Sequence, residues 1–352
     1  MSERRPITVE ILAPGREADW DAFVRDHPQG TVFHLSAWKP VIERAFRQRG
    51  HQLAAWRGQE LVGVLPLTHL KNRLFPSALV ANAFCVAGGP LALDAEARRR
   101  LDAAALALAE RLGVHHLEYR LGEAAADAMP SPGWQRKDDL YVTFRKPIGA
   151  DHDANMKAIP RKQRAMVRKA IGFGLESHVT QDTDAFFRVY AESVRNLGTP
   201  VFTRRYPRLL QEAFAGDCET LLITHDGRPV SAVMSLFYNG EVLPYYGGGT
   251  AAARALAAND FMYWEVMRRA AERGCSSFDF GRSKVSTGAY AFKKNWGFTP
   301  APLAYDTRLV RGRELAEVNP LNPKYARRIQ AWQRLPLKVA NALGPPIARE
   351  LG

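Results

Sequence analysis

Ala271-Glu272-Arg273-Gly274-Cys275-Ser276-Ser277-Phe278-Asp279-Phe280-Gly281-Arg282 is the stretch on which the fold turns, because the chain has already written nearly the same thing once. The earlier copy is Ala109-Glu110-Arg111-Leu112-Gly113-Val114-His115-His116-Leu117-Glu118-Tyr119-Arg120, with one residue gapped. In each, a helix stops at a glycine, which takes the left-handed conformation of a helix C-terminus without steric cost, and a strand follows. Upstream, Gly58-Gln59-Glu60-Leu61-Val62-Gly63-Val64-Leu65 is echoed by Gly227-Arg228-Pro229-Val230-Ser231-Ala232-Val233-Met234. Both read as a turn and the second arm of a hairpin. Downstream, Gly133-Trp134 and Gly297-Phe298 precede the expected last strands, Leu140 to Phe144 and Leu303 to Thr307. The order of elements is therefore the same in both halves. Two copies of one unit commonly make a cleft between them, and one copy is then free to specialise.

The 352 residues suffice for two such modules, each with its own core. The expected division is a first module over 1–150, on the scaffold or acceptor side, a second over 151–310 carrying the chemistry, and a basic amphipathic tail over 311–352. The boundary falls in the polar stretch Pro147 to Asp153. No run of 18 apolar residues occurs, and Glu3, Arg4 and Arg5 stand where a secretion signal would need an apolar core. The expectation is a cytoplasmic protein. Cys85, Cys218 and Cys275 are odd in number and far apart, which points to reduced, mostly buried thiols and to neither disulfides nor zinc. His115-His116 has no third ligand nearby, so no metal is expected. The net charge of +13 implies an acidic partner. It is concentrated in Arg161-Lys162-Gln163-Arg164-Ala165-Met166-Val167-Arg168-Lys169 and in the tail, where nine Lys or Arg face three Glu from Arg308 onward.

Periodicity places helices at Ala18 to Asp26, Ser36 to Arg49, Asp94 (as N-cap) to Leu112, Ile159 to Phe173, Thr183 to Asn196, Tyr206 to Ala215, Asn259 or Asp260 (as caps) onward, and Thr287 to Asn295. Strands are expected at Ile7 to Leu12, His51 to Trp56, Leu61 to Leu67, Leu117 to Arg120, Thr220 to His225, Val230 to Tyr238, Glu241 to Gly247 and Ser277 to Phe280. A loop should fill Glu123 to Pro132, and the tail beyond Asn319-Pro320-Leu321-Asn322-Pro323 should be helical and amphipathic, interrupted at Pro336 and at Pro345-Pro346.

This order resembles the N-acetyltransferase (GNAT-like) fold, and the chain apart from its tail resembles the tandem-module FemAB-type family of aminoacyl and acyl transferases. The resemblance is carried by His34-Leu35-Ser36-Ala37-Trp38, by the basic helix ending in Phe173-Gly174-Leu175, by Phe278-Asp279-Phe280-Gly281, and most specifically by Ala289-Tyr290-Ala291-Phe292-Lys293 leading to Trp296-Gly297-Phe298. The asparagine-proline tail also resembles the FemAB-like group associated with exosortase (PEP-CTERM) and exopolysaccharide systems. An α/β protein with mixed sheets and two tandem GNAT-like modules is thereby implied.

Such a family forms an amide, which needs a neutral amine, stabilisation of the carbonyl oxygen and alignment of both substrates. The resemblance makes Asp279, Lys293 and Tyr290 the catalytic candidates. Asp279, at a strand end, can deprotonate or orient the amine; alternatively it is tied to backbone N–H groups or paired with Arg282. Lys293 can stabilise an oxyanion or hold a phosphate while Phe292 stacks on the substrate, and Tyr290 lines the same channel; otherwise all three serve packing or a solvated face. Tyr246, Gly248 and Arg282 are candidates for substrate binding. The run Tyr245-Tyr246-Gly247-Gly248-Gly249-Thr250 permits close backbone approach to a ligand, or is a flexible turn. Arg161, Arg164 and Arg168 share a helix face suited to phosphates of transfer RNA or of a nucleotide-linked or lipid-linked acceptor, the alternative being a solvated face.

No tightly bound cofactor is expected. The donor is an aminoacyl-tRNA or an acyl-CoA, although Arg254-Ala255-Leu256-Ala257-Ala258-Asn259 lacks the first glycine of the coenzyme A pattern that it resembles. The acceptor is expected to be an amine linked to the cell envelope or to an exopolysaccharide. A non-catalytic nucleic-acid-binding or scaffold protein is the rival class. In the tail, Tyr325, Ile329, Trp332 and Leu335 lie on one side with Arg327, Arg328, Arg334 and Lys338 around them. Packing on module one is the preferred reading, and docking at an anionic membrane, on the inner face, is the other.

Overall fold

A computed structural model describes residues 5–72, 75–123, 130–312 and 323–352. In chain order the elements begin with β1 (Ile7–Ile11), α1 (Glu17–Asp26), α2 (Trp38–Phe46), β2 (Arg49–Arg57), β3 (Glu60–Leu70), β4 (Ala78–Val80), β5 (Leu91–Ala92), α3 (Ala95–Leu112), β6 (His116–Arg120) and β7 (Gln135–Lys137). There follow β8 (Tyr141–Pro147), α4 (His152–Ala158), α5 (Arg161–Gly172), β9 (Glu176–Thr180), α6 (Thr183–Asn196), α7 (Tyr206–Ala213), β10 (Cys218–His225), β11 (Arg228–Tyr238) and β12 (Glu241–Gly249). The run closes with α8 (Ala258–Glu272), β13 (Ser277–Asp279), β14 (Ser283–Lys284), α9 (Gly288–Asn295), β15 (Thr299–Pro302), β16 (Tyr305–Leu309), α10 (Pro323–Gln333) and α11 (Leu337–Ala348).

The chain divides into two compact units of mixed α/β structure, each around one sheet. Unit 1 takes Met1–Tyr141, Pro302–Glu317 and Arg349–Gly352; unit 2 takes Val142–Ala301 and Val318–Ala348. The sheet of unit 1 runs β1-β2-β3-β4-β6-β16-β7, with β5 on β3, and that of unit 2 runs β14-β8-β13-β12-β11-β10-β9, with β15 on β8. Each contains a hairpin (β2–β3, β10–β11) and one parallel junction after a crossover helix, β4 with β6 and β12 with β13. In unit 1 the Asp94 carboxylate caps α3 through Ala97 N–H, Gly113 ends it at φ +66°, and Leu101, Ala105 and Leu108 bury against Leu65, Leu79 and Leu117. In unit 2 Gly274 ends α8 at φ +75°, and Phe144, Phe278, Trp296 and Met262 are fully buried in one core.

The closing strands differ from expectation. Leu140–Phe144 does not close the first module: β8 pairs antiparallel with β13, and Val142 and Phe144 bury in the core of unit 2. Leu303–Thr307 does not close the second: β16 lies between β6 and β7 in unit 1. Each sheet thus receives its last inner strand from the other half of the sequence. The junction strand of each sheet needs an antiparallel neighbour, and an apolar-alternating strand satisfies either sheet, so the pattern alone does not say which.

The tail is not a separate segment either. Ile329 touches Gly198, Gln333 Nε2 donates to Asn196 O, and Gly344 lies against Val201, so α10 and α11 pack on and around α6 of unit 2 rather than on module one. Arg349–Gly352 belongs to unit 1, where Arg120 donates to Gly352 O. Asn319-Pro320-Leu321-Asn322 and most of the Glu123–Pro132 loop lie outside the described residues. Within the stretch expected to hold the boundary, α4 begins, capped by Asp151 through the N–H groups of Asp153 and Ala154. All three cysteines are free and buried, as expected.

Candidate functional site

The parallel junction of unit 2 positions the candidate side chains. β12 and β13 pair only at Glu241↔Ser277 and Val242↔Phe278. Beyond that, β12 continues to Gly249 against β11 alone, whereas the other strand ends at Asp279 and turns at Gly281, φ +71°. One residue on β12, Tyr245, is extra in the register with β11, a bulge that re-aims the side chains on either side of it.

Lys293 reaches this point from the inner face of α9, which Thr287 caps through Tyr290 N–H. Its Nζ donates to Gly281 O at 2.8 Å and Arg282 O at 3.2 Å, and lies 5.6 Å and 5.8 Å from the ring centres of Phe144 and Phe280. The residue is 9% exposed. Burial pulls its ammonium down to about 8, with Asp279 acting upward and Arg282 downward.

Asp279 is 6% exposed, and both of its oxygens are engaged. Oδ1 accepts from Thr143 Oγ1 at 2.9 Å and from Gly281 N–H at 2.7 Å, and Oδ2 faces the Arg145 guanidinium at 3.1 Å. Arg145 also holds Glu241 at 2.9 Å, whose carboxyl is raised by burial and by Asp279. An arginine beside Asp279 is therefore Arg145, from the exchanged strand, and the Gly281 N–H bond is the backbone tie that the sequence offered as one alternative. Tyr290 sets its ring edge-on to Phe144 at 5.5 Å, and Phe292 lies 6.2 Å from both Phe280 and Trp296. Asp279, Tyr290, Phe292 and Lys293 thus gather around Phe144 and Phe280.

Tyr246 stands in a second aromatic group. Its hydroxyl shares a 2.9 Å hydrogen bond with that of Tyr206, and its ring meets Tyr190 and Phe202 at 5.8 and 5.0 Å. Tyr263 of α8 belongs to the first group: it lies 4.6 Å from Phe280 and 5.7 Å from Phe292, and burial pushes its hydroxyl up to about 12. Gly248 and Gly249 lie in the strand itself, opposite Ala232 and Ser231, rather than in a turn. A Cβ on Gly248 would collide with Ser193, and one on Gly249 with Ala253, so these glycines admit α6 and the helical turn before α8 to close approach.

Asp260, offered by the sequence only as a helix cap, has a different role. Asp260, 7% exposed, accepts from Gln163 of α5 and from Trp296 Nε1, tying α5 and α8 to the helix that carries Lys293. Neither Asn259 nor Asp260 caps α8; the cap is Ala257, in the left-handed conformation at φ 49° with no side-chain bond. Ala257 occupies the position where the coenzyme A pattern has its first glycine, and the backbone keeps a glycine-like shape without the glycine. On α5, Gln163, Val167 and Ala170 are buried while Arg161 and Arg168 are exposed on the opposite side, and Arg164 donates to Lys157 O. The basic face consequently points away from the Lys293 cluster. No cluster of metal-ligating residues occurs among the described residues.

Residues 155–294, all within unit 2, match the family described as the acetyltransferase (GNAT) domain. The chain carries a GNAT-type acyltransferase domain. Among solved structures it is similar to FemX, at 18% identity and TM-score 0.68 over 85% of this chain and 96% of that one. A tandem GNAT protein from the clavulanic acid biosynthesis pathway gives 14% identity and TM-score 0.57, over 88% and 100% of the two chains. The C-terminal domain of a putative lysylphosphatidylglycerol synthetase from Agrobacterium fabrum gives 14% and 0.54, over 84% and 92%. No curated protein matches the sequence significantly. These likenesses establish a tandem GNAT, FemAB-like fold, as the sequence implied.

Proposed function

We propose that unit 2 transfers an acyl or aminoacyl group to an amine acceptor, with Lys293 as the group that takes the proton. The observation that carries this is the wiring of Lys293. A neutral lysine amine has two N–H donors and one lone pair; with both donors spent on Gly281 O and Arg282 O, the lone pair is left to accept a proton. A value near 8 makes that form accessible close to neutrality, as a general base requires. Asp279, saturated by Thr143, Gly281 and Arg145, acts as a positioning residue that holds the Gly281 turn. Tyr290 and Phe292 flank the reacting groups, Tyr246 and Gly248 line the path of the donor along β12, and Arg282 meets a phosphate.

The acceptor in this reading is an amine on a phosphorylated, nucleotide-linked or lipid-linked precursor of the envelope or of an exopolysaccharide, handled at the cytoplasmic face of the inner membrane. The likeness to FemX and to a lysylphosphatidylglycerol synthetase domain supports aminoacyl transfer, and the tail's resemblance supports the exosortase-associated setting. The donor is an aminoacyl-tRNA, for which the exposed Arg161 and Arg168 with Arg164 supply phosphate contacts. A second reading, with acyl-CoA as donor, is favoured by the left-handed Ala257 at the start of α8. Incubation with aminoacyl-tRNA and, separately, with acyl-CoA, each with a panel of amines, tests both. Enzyme-dependent loss of aminoacyl-tRNA that Lys293→Met abolishes is the expected result; turnover of acyl-CoA alone selects the second reading, and turnover of neither overturns the enzymatic one.

A further inference from the structure

The outer face of α11 is apolar, exposed and bordered by cations. Ala340 and Gly344 form the packed side of the helix, Gly344 lying against Val201. Val339 is 42% and Leu343 47% exposed, and with Pro346 they follow an i, i+4, i+7 spacing, so they share a face of their own, about 100° around the helix from the packed side. Lys338 is exposed on α11 beside that stripe, Arg334 is exposed in the turn before α11, and Arg327 and Arg328 are exposed on α10. Leu197, 69% exposed, stands between Asn196 and Gly198, both of which touch α10. From Val318 to Arg349 the sequence contains no Asp or Glu.

We infer that this face of α10 and α11 docks unit 2 on an anionic phospholipid bilayer, with Val339 and Leu343 entering the interface and Arg334 and Lys338 meeting lipid phosphates. A nucleic acid would use the cations but has no use for the apolar stripe, and an acid-free surface complements a negatively charged one. No helix among the described residues is long and apolar enough to cross a membrane, so the contact is with the surface. Because none of these residues belongs to the Lys293 site, the inference stands independently of the acyl-transfer reading.

The test is co-sedimentation of the full chain with vesicles of phosphatidylcholine alone and of phosphatidylcholine mixed with phosphatidylglycerol. Binding to the mixed vesicles only is expected, and a Val339→Ser, Leu343→Ser pair should lower it roughly tenfold or more with the melting temperature unchanged. Should that pair loosen α11, Arg334→Gln with Lys338→Gln keeps the question open to an answer, since it should erase the preference for anionic vesicles. Equal binding to both vesicle types, or mixed-vesicle binding that survives both pairs, overturns the inference. So does light scattering that shows a dimer lost in the serine pair, or binding to a short RNA without binding to vesicles.

Discussion

The parallel junctions of the two units begin alike and end differently. In unit 1, β4 and β6 pair at Ala78↔His116, Leu79↔Leu117 and Val80↔Glu118, and the chain then stays on the neighbouring strand. Ala81 N donates to Glu118 O, Gly88 N donates to Arg120 O, and the Arg120 guanidinium holds Cys85 O and the Glu118 carboxylate. The gap is closed by backbone and a buried ion pair. In unit 2 the same gap opens after two pairs, and what meets it is a lysine with a lowered pKa and a ring of aromatics. One junction is closed by backbone and an ion pair, and the other is met by Lys293 and the aromatic rings. The GNAT-family match, confined to unit 2, falls on the copy whose junction Lys293 meets.

The comparison breaks most directly at Lys293. Lys293→Met should reduce acyl transfer by about two to four orders of magnitude while the melting temperature holds or rises, measured by steady-state kinetics and calorimetry. The pH profile sharpens the same point: a base must be unprotonated, so kcat/KM should rise through about pH 8 and level above it, and Lys293→Arg should lose that limb. For stability, the folded-state value lies below the ordinary 10.5, so the unfolded state binds more protons between about 8 and 10.5 and stability should increase with pH across that window.

Arg120→Met is the mirror experiment in unit 1. It should cost about 3 kcal/mol by leaving Glu118 half-buried and unpaired, seen in chemical denaturation, yet leave the kcat of folded protein unchanged. A large loss of kcat there would mean that the two junctions share the chemistry. Gly248→Ala should destabilise by about 1–3 kcal/mol through its clash with Ser193. Ser193→Gly in the same protein should recover much of that, whereas Ser193→Ala should not, because the Ser193 Cβ is itself in the way. The smallest effect is expected from Thr143→Val, about 1 kcal/mol, with a modest rise in KM or fall in kcat as Asp279 loses one of its three partners.

Local patterns carried most of the fold. α6 reads as Thr183–Asn196 because Asp182 caps it through Asp184 and Ala185 and its apolar spacing is regular. The two junction helices end where a left-handed glycine must sit. What local pattern could not carry is partnership across long separations. The destination of β8 and β16 depends on which sheet has an unfilled edge, and so does the identity of Arg145 as the neighbour of Asp279. Gly248 and Gly249 looked like a turn because glycine is common there, while the strand that contains them needs their missing side chains only once α6 arrives. Of the candidate site, Lys293, Phe292 and Tyr290 were visible as a motif. Tyr263 and Asp260, which connect that motif to the rest of unit 2, lie on a helix whose apolar stripe gave no hint of either role.

The exchange of closing strands also sets a timetable for synthesis. A chain emerging N-terminus first can lay down β1 to β6 early, but the edge of β6 stays unpaired, and β7 without its neighbour, until Tyr305–Leu309 has left the ribosome. At synthesis rates of about 5–20 residues per second, that wait lasts roughly ten to forty seconds. During it, the unpaired edge of β6 is exposed to any strand able to add to it. In unit 2 the order is reversed: β8 is made first and itself waits for β13, β14 and β15, which come later in the chain. Both nascent halves therefore hold an open strand or sheet edge until the stretch from β13 to β16 has been made.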